Sequence, residues 1–374
     1  VGASHVVNGP CSDSFRALAR ELGGISCETA HRWVTFRGPG ELRHFSMPIV
    51  ELVMIGGALV ALAHAVRVRR TTGRAASLAL WLGAVVFVLA LEPPLYFPQQ
   101  LGAGSFLDVI FVHNVFTVQL LYDRLPLYIV ALYPSGIYLA YQLVERFDVF
   151  ERRGRLVGAI AVGFVHQCFY EVFDHLGPQL RWWAWNPRAP YNAPALGSVP
   201  LVSMVIFAIV APAALVYVWR RLVAEPEARG DLAGARLLAR TVLAGLVAPV
   251  LMAAIGAPVS LLMVAPHPSH TLIAALLYGA ILLTGAITVH AFAGAHKSAS
   301  PPSGDRFLDC YPLWHGTTYL MAFAALWLSA LPDLLAAGAG RTADGAPTGN
   351  PMYAAACALF CAGTLWRAAA RASR

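Results

Sequence analysis

The run His166, Gln167, Cys168, Phe169, Tyr170, Glu171, Val172, Phe173, Asp174, His175 sets two carboxyl groups and two imidazoles in a stretch that is otherwise largely apolar. On a helix, Glu171 and Asp174 are three residues apart and Glu171 and His175 four apart, so all three project to one side. Two carboxylates forced together in a low dielectric cannot both stay ionised, and one keeps a proton. The result is a competent general acid. The plainer alternative is that Glu171 pairs with His175, or with Arg181 at the interface. Glu92, just before Pro93 and Pro94, stands at a similar depth and is placed to face the same cavity. Shortly after the acidic run come Arg181, Trp182, Trp183, Ala184, Trp185 and Asn186. Tryptophan gathers at membrane interfaces, which explains such a belt. Indole faces also attract cations, and a carbocation in a dry pocket would gain from them.

These residues demand an account because of where they lie. Only 13% of the 374 residues are charged and 58% are hydrophobic, against a charged share of roughly 25% in soluble chains. Mean hydropathy is +0.61. An ionisable side chain at the centre of a membrane helix costs about 2.5 to 3.5 kcal/mol, so each one needs a partner or a task. Nine apolar runs are long enough to cross a hydrocarbon core about 30 Å thick. They lie near 47–66, 75–96, 125–144, 156–176, 199–219, 237–264, 272–292, 312–335 and 351–366. The fold class expected is therefore all-α, a polytopic bundle of about nine transmembrane helices. Residues 1–46 are expected to form an extracytoplasmic tail, and 47–374 a single transmembrane domain. A further stretch, 106–121, is interrupted by Asp108, His113 and Asn114 and reads as re-entrant or interfacial.

Cytoplasmic loops retain Lys and Arg. Placing 67–74, 145–155, 220–240, 294–306 and 366–374 inside collects 18 of the 27 basic residues, so the N-terminus is expected outside and the C-terminus inside. Basic loops beside anionic lipid account for the net charge of +7, and no nucleic-acid partner is implied. The lipid bilayer is the expected partner and the cell (inner) membrane the expected location. Of six cysteines, Cys11 and Cys27 fall in the external tail, where an oxidising compartment would allow a disulfide.

The order of features is similar to the carotenoid biosynthesis protein family of membrane hydratases. The residues that carry the likeness are Glu92, the interrupted segment with His113 and Asn114, and Leu125, Pro126, Leu127 continuing to Tyr133 and Pro134. Tyr170, Glu171, Val172, Phe173 and Asp174 follow, then Trp183 and Trp185, then Val199, Pro200 and Leu201. The likeness covers about residues 80–220 and departs from the family pattern at His175, where proline would stand. It implies addition of water to an isolated alkene of a carotenoid or polyprenoid. The related membrane lycopene and terpene cyclases protonate an alkene and let the cation close a ring. On this reading Asp174 or Glu171 is the proton donor and Glu92 its partner or the base for water. Trp183 and Trp185 stabilise the cation, and Asn114, Tyr122 and Asn186 bind substrate. The expected ligand is a hydrophobic isoprenoid-like molecule, with no metal and no other cofactor.

Other classes remain open at this stage. His113, His175, His267 and His270 fall on the outer side, where three histidines and a carboxylate would suit a zinc hydrolase. His166, His290 and His315 in or beside spans raise haem ligation. Pro249 and Gly256 to Pro258 would suit the broken helix of a transporter, and a lipid-binding protein without chemistry is the blandest option.

Overall fold

The structure is a computed structural model describing residues 11–22, 25, 30–98, 100, 109–293 and 304–372. After an amphipathic α1 (Asp13–Leu22) come α2 (Ser46–Thr72), α3 (Ala76–Tyr96), α4 (Leu127–Glu145), α5 (Val149–Asp174) and α6 (Ser203–Ala228). They are followed by α7 (Gly234–Met263), α8 (His270–Ala293), α9 (Arg306–Leu335) and α10 (Pro351–Ala372). Among the described residues, α2 to α10 are nine helices long and apolar enough to cross a membrane, one for each apolar run.

Local chemistry sets their ends. The left-handed Gly73 (φ 73°) stops α2 and donates its N–H to the Arg69 carbonyl. Pro93 and Pro94 have no N–H for the preceding turn of α3, which ends at Tyr96. By contrast α7 runs helically through Pro249 and Pro258, so the break that would suit a transporter is not there. Burial separates inner from outer helices. In the most apolar window, 78% of α4, 72% of α5 and 67% of α6 is buried within the protein, but only 28%, 22%, 22% and 33% of α7 to α10. The acidic run therefore lies on a central helix, and the later helices turn most of their side chains toward lipid.

The described residues are 72% helical, yet all-α is not the whole description. Among the described residues, seven short strands lie before or between the spans: β1 (Val34–Phe36), β2 (Phe111–His113), β3 (Val118–Leu120), β4 (Leu125–Pro126), β5 (Trp183–Trp185), β6 (Ala195–Leu196) and β7 (Val199–Pro200). Loops buried over the ends of helices have little water to bond, so their backbone groups pair with one another. The order β1-β3-β4 makes one sheet, β2 pairs with β5 and β6 with β7. Where it is described, the stretch 106–121 is two short strands, β2 and β3, joined by irregular chain, residues 106–108 lying outside the described set.

The first 46 residues are not a detached tail where they are described. Phe15, Leu18, Ala19 and Leu22 of α1 pack on Val109, Val112 and Ala184. Arg124, 4% exposed, joins the layers: its guanidinium lies 4.2 Å from the Phe15 ring centre and 4.6 Å from that of Phe97. It also donates to the Tyr96 carbonyl and to Cys11 Sγ. Burial pushes its pKa down to about 10, so it stays a cation at neutral pH. Cys11 is disulfide-bonded, and its expected partner Cys27 lies outside the described residues. Glu51 Oε1 accepts from the N–H and hydroxyl of Thr117, tying the cap to α2.

Arg124→Gln removes two cation-π contacts and a charged hydrogen bond, which costs about 3 kcal/mol. The expected result in detergent is a thermal midpoint several degrees lower and faster proteolysis between residues 109 and 124. An unchanged midpoint and digestion pattern would show that Arg124 does not hold the cap.

Candidate active site

The cavity forms where α3 ends and α4 begins, beneath the β2·β5 ribbon. Side chains alternate along a strand, so residues i and i+2 share a face. In this ribbon His113 pairs with Trp183 and Phe111 with Trp185. All four consequently line one cavity, while Val112 and its partner Ala184 face α1. The remaining walls are Glu92 from α3; Ile129, Leu132 and Tyr133 from α4; Tyr170, Phe173 and Asp174 from α5; and Ser203 and Phe207 from α6. Gly177 lies directly under the Trp183 indole, where a Cβ would overlap the ring.

Glu92 and Asp174 thus come from different helices to a single aromatic-walled hollow. The Tyr133 hydroxyl donates to Glu92 Oε1 at 3.0 Å and the Ser203 hydroxyl to Asp174 Oδ2 at 3.1 Å. Ser203 opens a π-helical stretch, 203–210, a wider turn of the kind often met at functional sites. Glu92 Oε2 and Asp174 Oδ1 are buried without a hydrogen-bond partner among the described residues, as are the indole N–H groups of Trp183 and Trp185. The cavity volume, about 40 Å³, is enough for two or three waters at roughly 10 to 15 Å³ each. Unsatisfied acceptors and donors on its wall give such waters, or a polar ligand atom, something to bond.

The other sequence-predicted residues go elsewhere. Glu171 is fully buried but does not line the cavity; its Oε2 lies 3.2 Å from His175 Nε2, with poor alignment for a hydrogen bond. His175 Nδ1 accepts the Asn350 N–H, so a neutral ring carries its proton on Nε2, toward Glu171. Arg181 pairs with Asp344, not with Glu171. Asn114 donates to the Arg181 carbonyl and accepts from the Val115 N–H; Asn186 donates to the Val109 carbonyl. Tyr122 lies near Phe97 in a left-handed turn, φ 57°. These three hold the cap together and do not line the cavity. Sequence reasoning missed Ser203 and Phe207, for which the only signal was proximity to Val199, Pro200 and Leu201.

The outer histidines do not converge: His113 and His175 are buried, His267 and His270 exposed. No group of three or more His, Cys, Asp or Glu suited to a metal exists among the described residues. His290 is exposed, which sets it apart from the buried His166 and His315.

A family model described as Domain of unknown function (DUF7802) matches residues 41–301. The chain belongs to the DUF7802 family. No curated protein and no solved structure matches it. The DUF7802 region takes in every residue that lines the cavity and both of its acids, and leaves out α1, α9 and α10.

Two outcomes follow. Gly177→Ala must displace the Trp183 ring, so intrinsic tryptophan fluorescence should shift and any activity of the cavity fall by about tenfold or more; an unchanged spectrum would mean the contact is not tight. Among the described residues the His113 side chain hydrogen-bonds Tyr128, at 3.2 Å, and burial pushes its pKa from 6.5 down to about 3. Unfolded His113 binds a proton below about pH 6.5 but folded His113 does so only near pH 3, so its stabilising share is complete above 6.5 and lost as pH falls toward 3. His113→Gln should flatten the decline of thermal stability between pH 7 and 4; an identical decline would assign it to other groups.

Proposed function

We propose that this protein is an integral membrane enzyme that protonates an alkene of a carotenoid or other polyprenoid and completes the reaction with water. The observation that carries the reading is the meeting of Glu92 and Asp174 in one cavity walled by Phe111, Tyr133, Tyr170, Phe173, Trp183 and Trp185. Carboxyl groups this deep in an apolar wall are expensive unless they do work. The resemblance to the membrane carotenoid hydratases, carried by Glu92, Asp174, Trp183 and Trp185, supports the same chemistry.

In the proposed step, protonated Asp174 gives its hydrogen to one alkene carbon, a C–H bond forms, and the tertiary cation rests against the ring faces of Trp183, Trp185 and Phe173. Water, within reach of Glu92, forms the C–O bond and loses a proton to the Glu92 carboxylate. One alkene and one water become one tertiary alcohol, with no change of oxidation state. Tyr133 and Ser203 orient the two carboxyls and are not consumed. If the cation meets a second alkene before water, the same acid yields a ring. A cavity of about 40 Å³ holds only the reacting end, and the rest of a long chain lies outside it. The arginine-rich turns 67–74, 145–155 and 220–240 favour an orientation with that face in the cytoplasm, the acidic cavity near the outer side and the N-terminus outside. The cell membrane is the compartment we assign.

Mass spectrometry of lipid extracts from cells with and without the gene tests the reading. A polyprenoid heavier by one water is expected, and an isomer of unchanged mass if the cation cyclises. Asp174→Asn and Glu92→Gln should each lower product by at least about a hundredfold, the usual worth of a general acid or base, while Glu171→Gln keeps most of it. Folded acid variants that retain full product would rule the mechanism out.

A further inference from the structure

A second hollow lies deeper in the bundle, and nothing in the alkene chemistry above uses it. It is lined by Met54, Ser135, His166, Tyr170, His315 and Tyr319, among others, and shares Leu132 and Tyr170 with the first cavity as a common wall. Its volume of about 20 Å³ has room for one water at roughly 10 to 15 Å³. Backbone space has been cleared for its imidazoles: a Cβ at Gly57 would collide with Ser135 Oγ and His315 Nε2, and one at Gly136 would lie 3.1 Å from His166 Nε2.

The groups around this hollow form a series of exchangeable protons. His64, buried on α2 a turn before Arg67 to Arg70, bonds through Nδ1 to the Tyr138 hydroxyl at 2.8 Å, and its Nε2 lies 3.4 Å from the Leu308 carbonyl. Its ring stacks on Tyr311, centres 4.3 Å apart. The Tyr311 hydroxyl bonds His315 Nδ1 at 2.9 Å, and His315 Nε2 bonds Ser135 Oγ at 3.2 Å, at the edge of the hollow. His166 donates Nδ1–H to the Ala208 carbonyl at 2.9 Å, which leaves Nε2 of the neutral ring as an acceptor. It stacks on Tyr170, whose ring also walls the first cavity. From His166 to Asp174 is eight residues, about 12 Å of helix axis.

We propose that this series is a proton relay joining the arginine-rich face to the Glu92 and Asp174 cavity. Hydroxyl and imidazole groups in hydrogen-bonded sequence are what proton pathways across membranes are made of. In one passage, Tyr311 O–H gives its proton to His315 Nδ1 as His315 Nε2–H gives its proton to Ser135 Oγ. The Ser135 hydrogen passes to water in the hollow, and through it past His166 and Tyr170 to the acid; Tyr311 is refilled from the His64 and Tyr138 pair, and that pair takes its proton from water at the arginine-rich face. Each O–H or N–H bond broken is matched by one formed, no electrons change hands, and rotation of the hydroxyls and imidazole tautomerisation reset the series. Three links are made by motion or water and not by standing hydrogen bonds among the described residues: Tyr138 to Tyr311, whose ring centres are 5.6 Å apart, Ser135 to His166 across the hollow, and the passage beside Tyr170. The proposal depends on the acidic cavity as its terminus and not on any organic substrate.

The test is proton flux in vesicles of reconstituted full-length protein loaded with a pH-sensitive dye, driven by a potassium diffusion potential. The protein should dissipate the gradient at least about tenfold faster than protein-free vesicles, and His315→Gln and Ser135→Ala should each return the rate to the protein-free level. His290→Gln, a substitution at an exposed histidine, should leave the rate unchanged. Where Ser135→Ala does not fold, His166→Gln replaces it. Wild-type protein no faster than empty vesicles, or folded His315→Gln as fast as wild type, overturns the relay. Because no polyprenoid is present, these outcomes are separate from those of the product assay: flux without product would sink the alkene chemistry alone, and product without flux would sink the relay alone.

Discussion

The pairing of Phe111 to His113 with Trp183 to Trp185 is the interaction on which the rest of the site depends. Three residues on each side suffice because of the pleat. One face of the ribbon carries four aromatic rings toward the carboxyls, and the other carries Val112 and Ala184 toward α1. The ribbon ties two loops more than 60 residues apart in sequence to one roof. Without it Glu92 and Asp174 would end at neighbouring helix termini with water between them, and their low-dielectric setting would be lost.

The roof in turn is fastened to the bundle by polar groups that do no chemistry. Gln119 donates to the Asn114 and Asp123 carbonyls and accepts from Arg37 and the Phe116 N–H. Asp123 pairs with Arg37, and Trp182 Nε1 bonds Ser46 at the start of α2. Buried polar groups bonded to one another in this way specify one geometry. In the cavity, by contrast, both carboxyls and both indoles keep an atom with no partner among the described residues.

Much of this was readable beforehand, and for reasons that differ by residue. The nine spans follow from the length of apolar runs, a signal that lipid makes strong. Glu92 and Asp174 stood out because an acid in hydrocarbon is costly, and Trp183 and Trp185 because of their spacing beside it. Glu171 obeyed the same rule but turns to His175, 3.2 Å away, and not into the cavity, a choice that helix spacing alone does not make. Asn114, Tyr122 and Asn186 were assigned by adjacency, which cannot distinguish a group that holds a loop from one that holds a ligand. Ser203 raised no flag because a hydroxyl in a helix can bond its own backbone at little cost. The strands escaped notice because two or three residues show no periodicity, and α1 because its Phe15, Leu18, Ala19 and Leu22 stripe lay in a segment read as a tail.

The roof has one more consequence. With α1 laid across the ribbon and Arg124 wedged between Phe15 and Phe97, an oily molecule gains nothing by approaching through the aqueous side. The bilayer is then both solvent and reservoir: a ligand already partitioned into the leaflet arrives at a local concentration far above its bulk value, and leaves the same way. On the proposed chemistry, turnover is governed by lipid composition and lateral diffusion, so micelles that strip that reservoir silence a protein whose fold they leave intact.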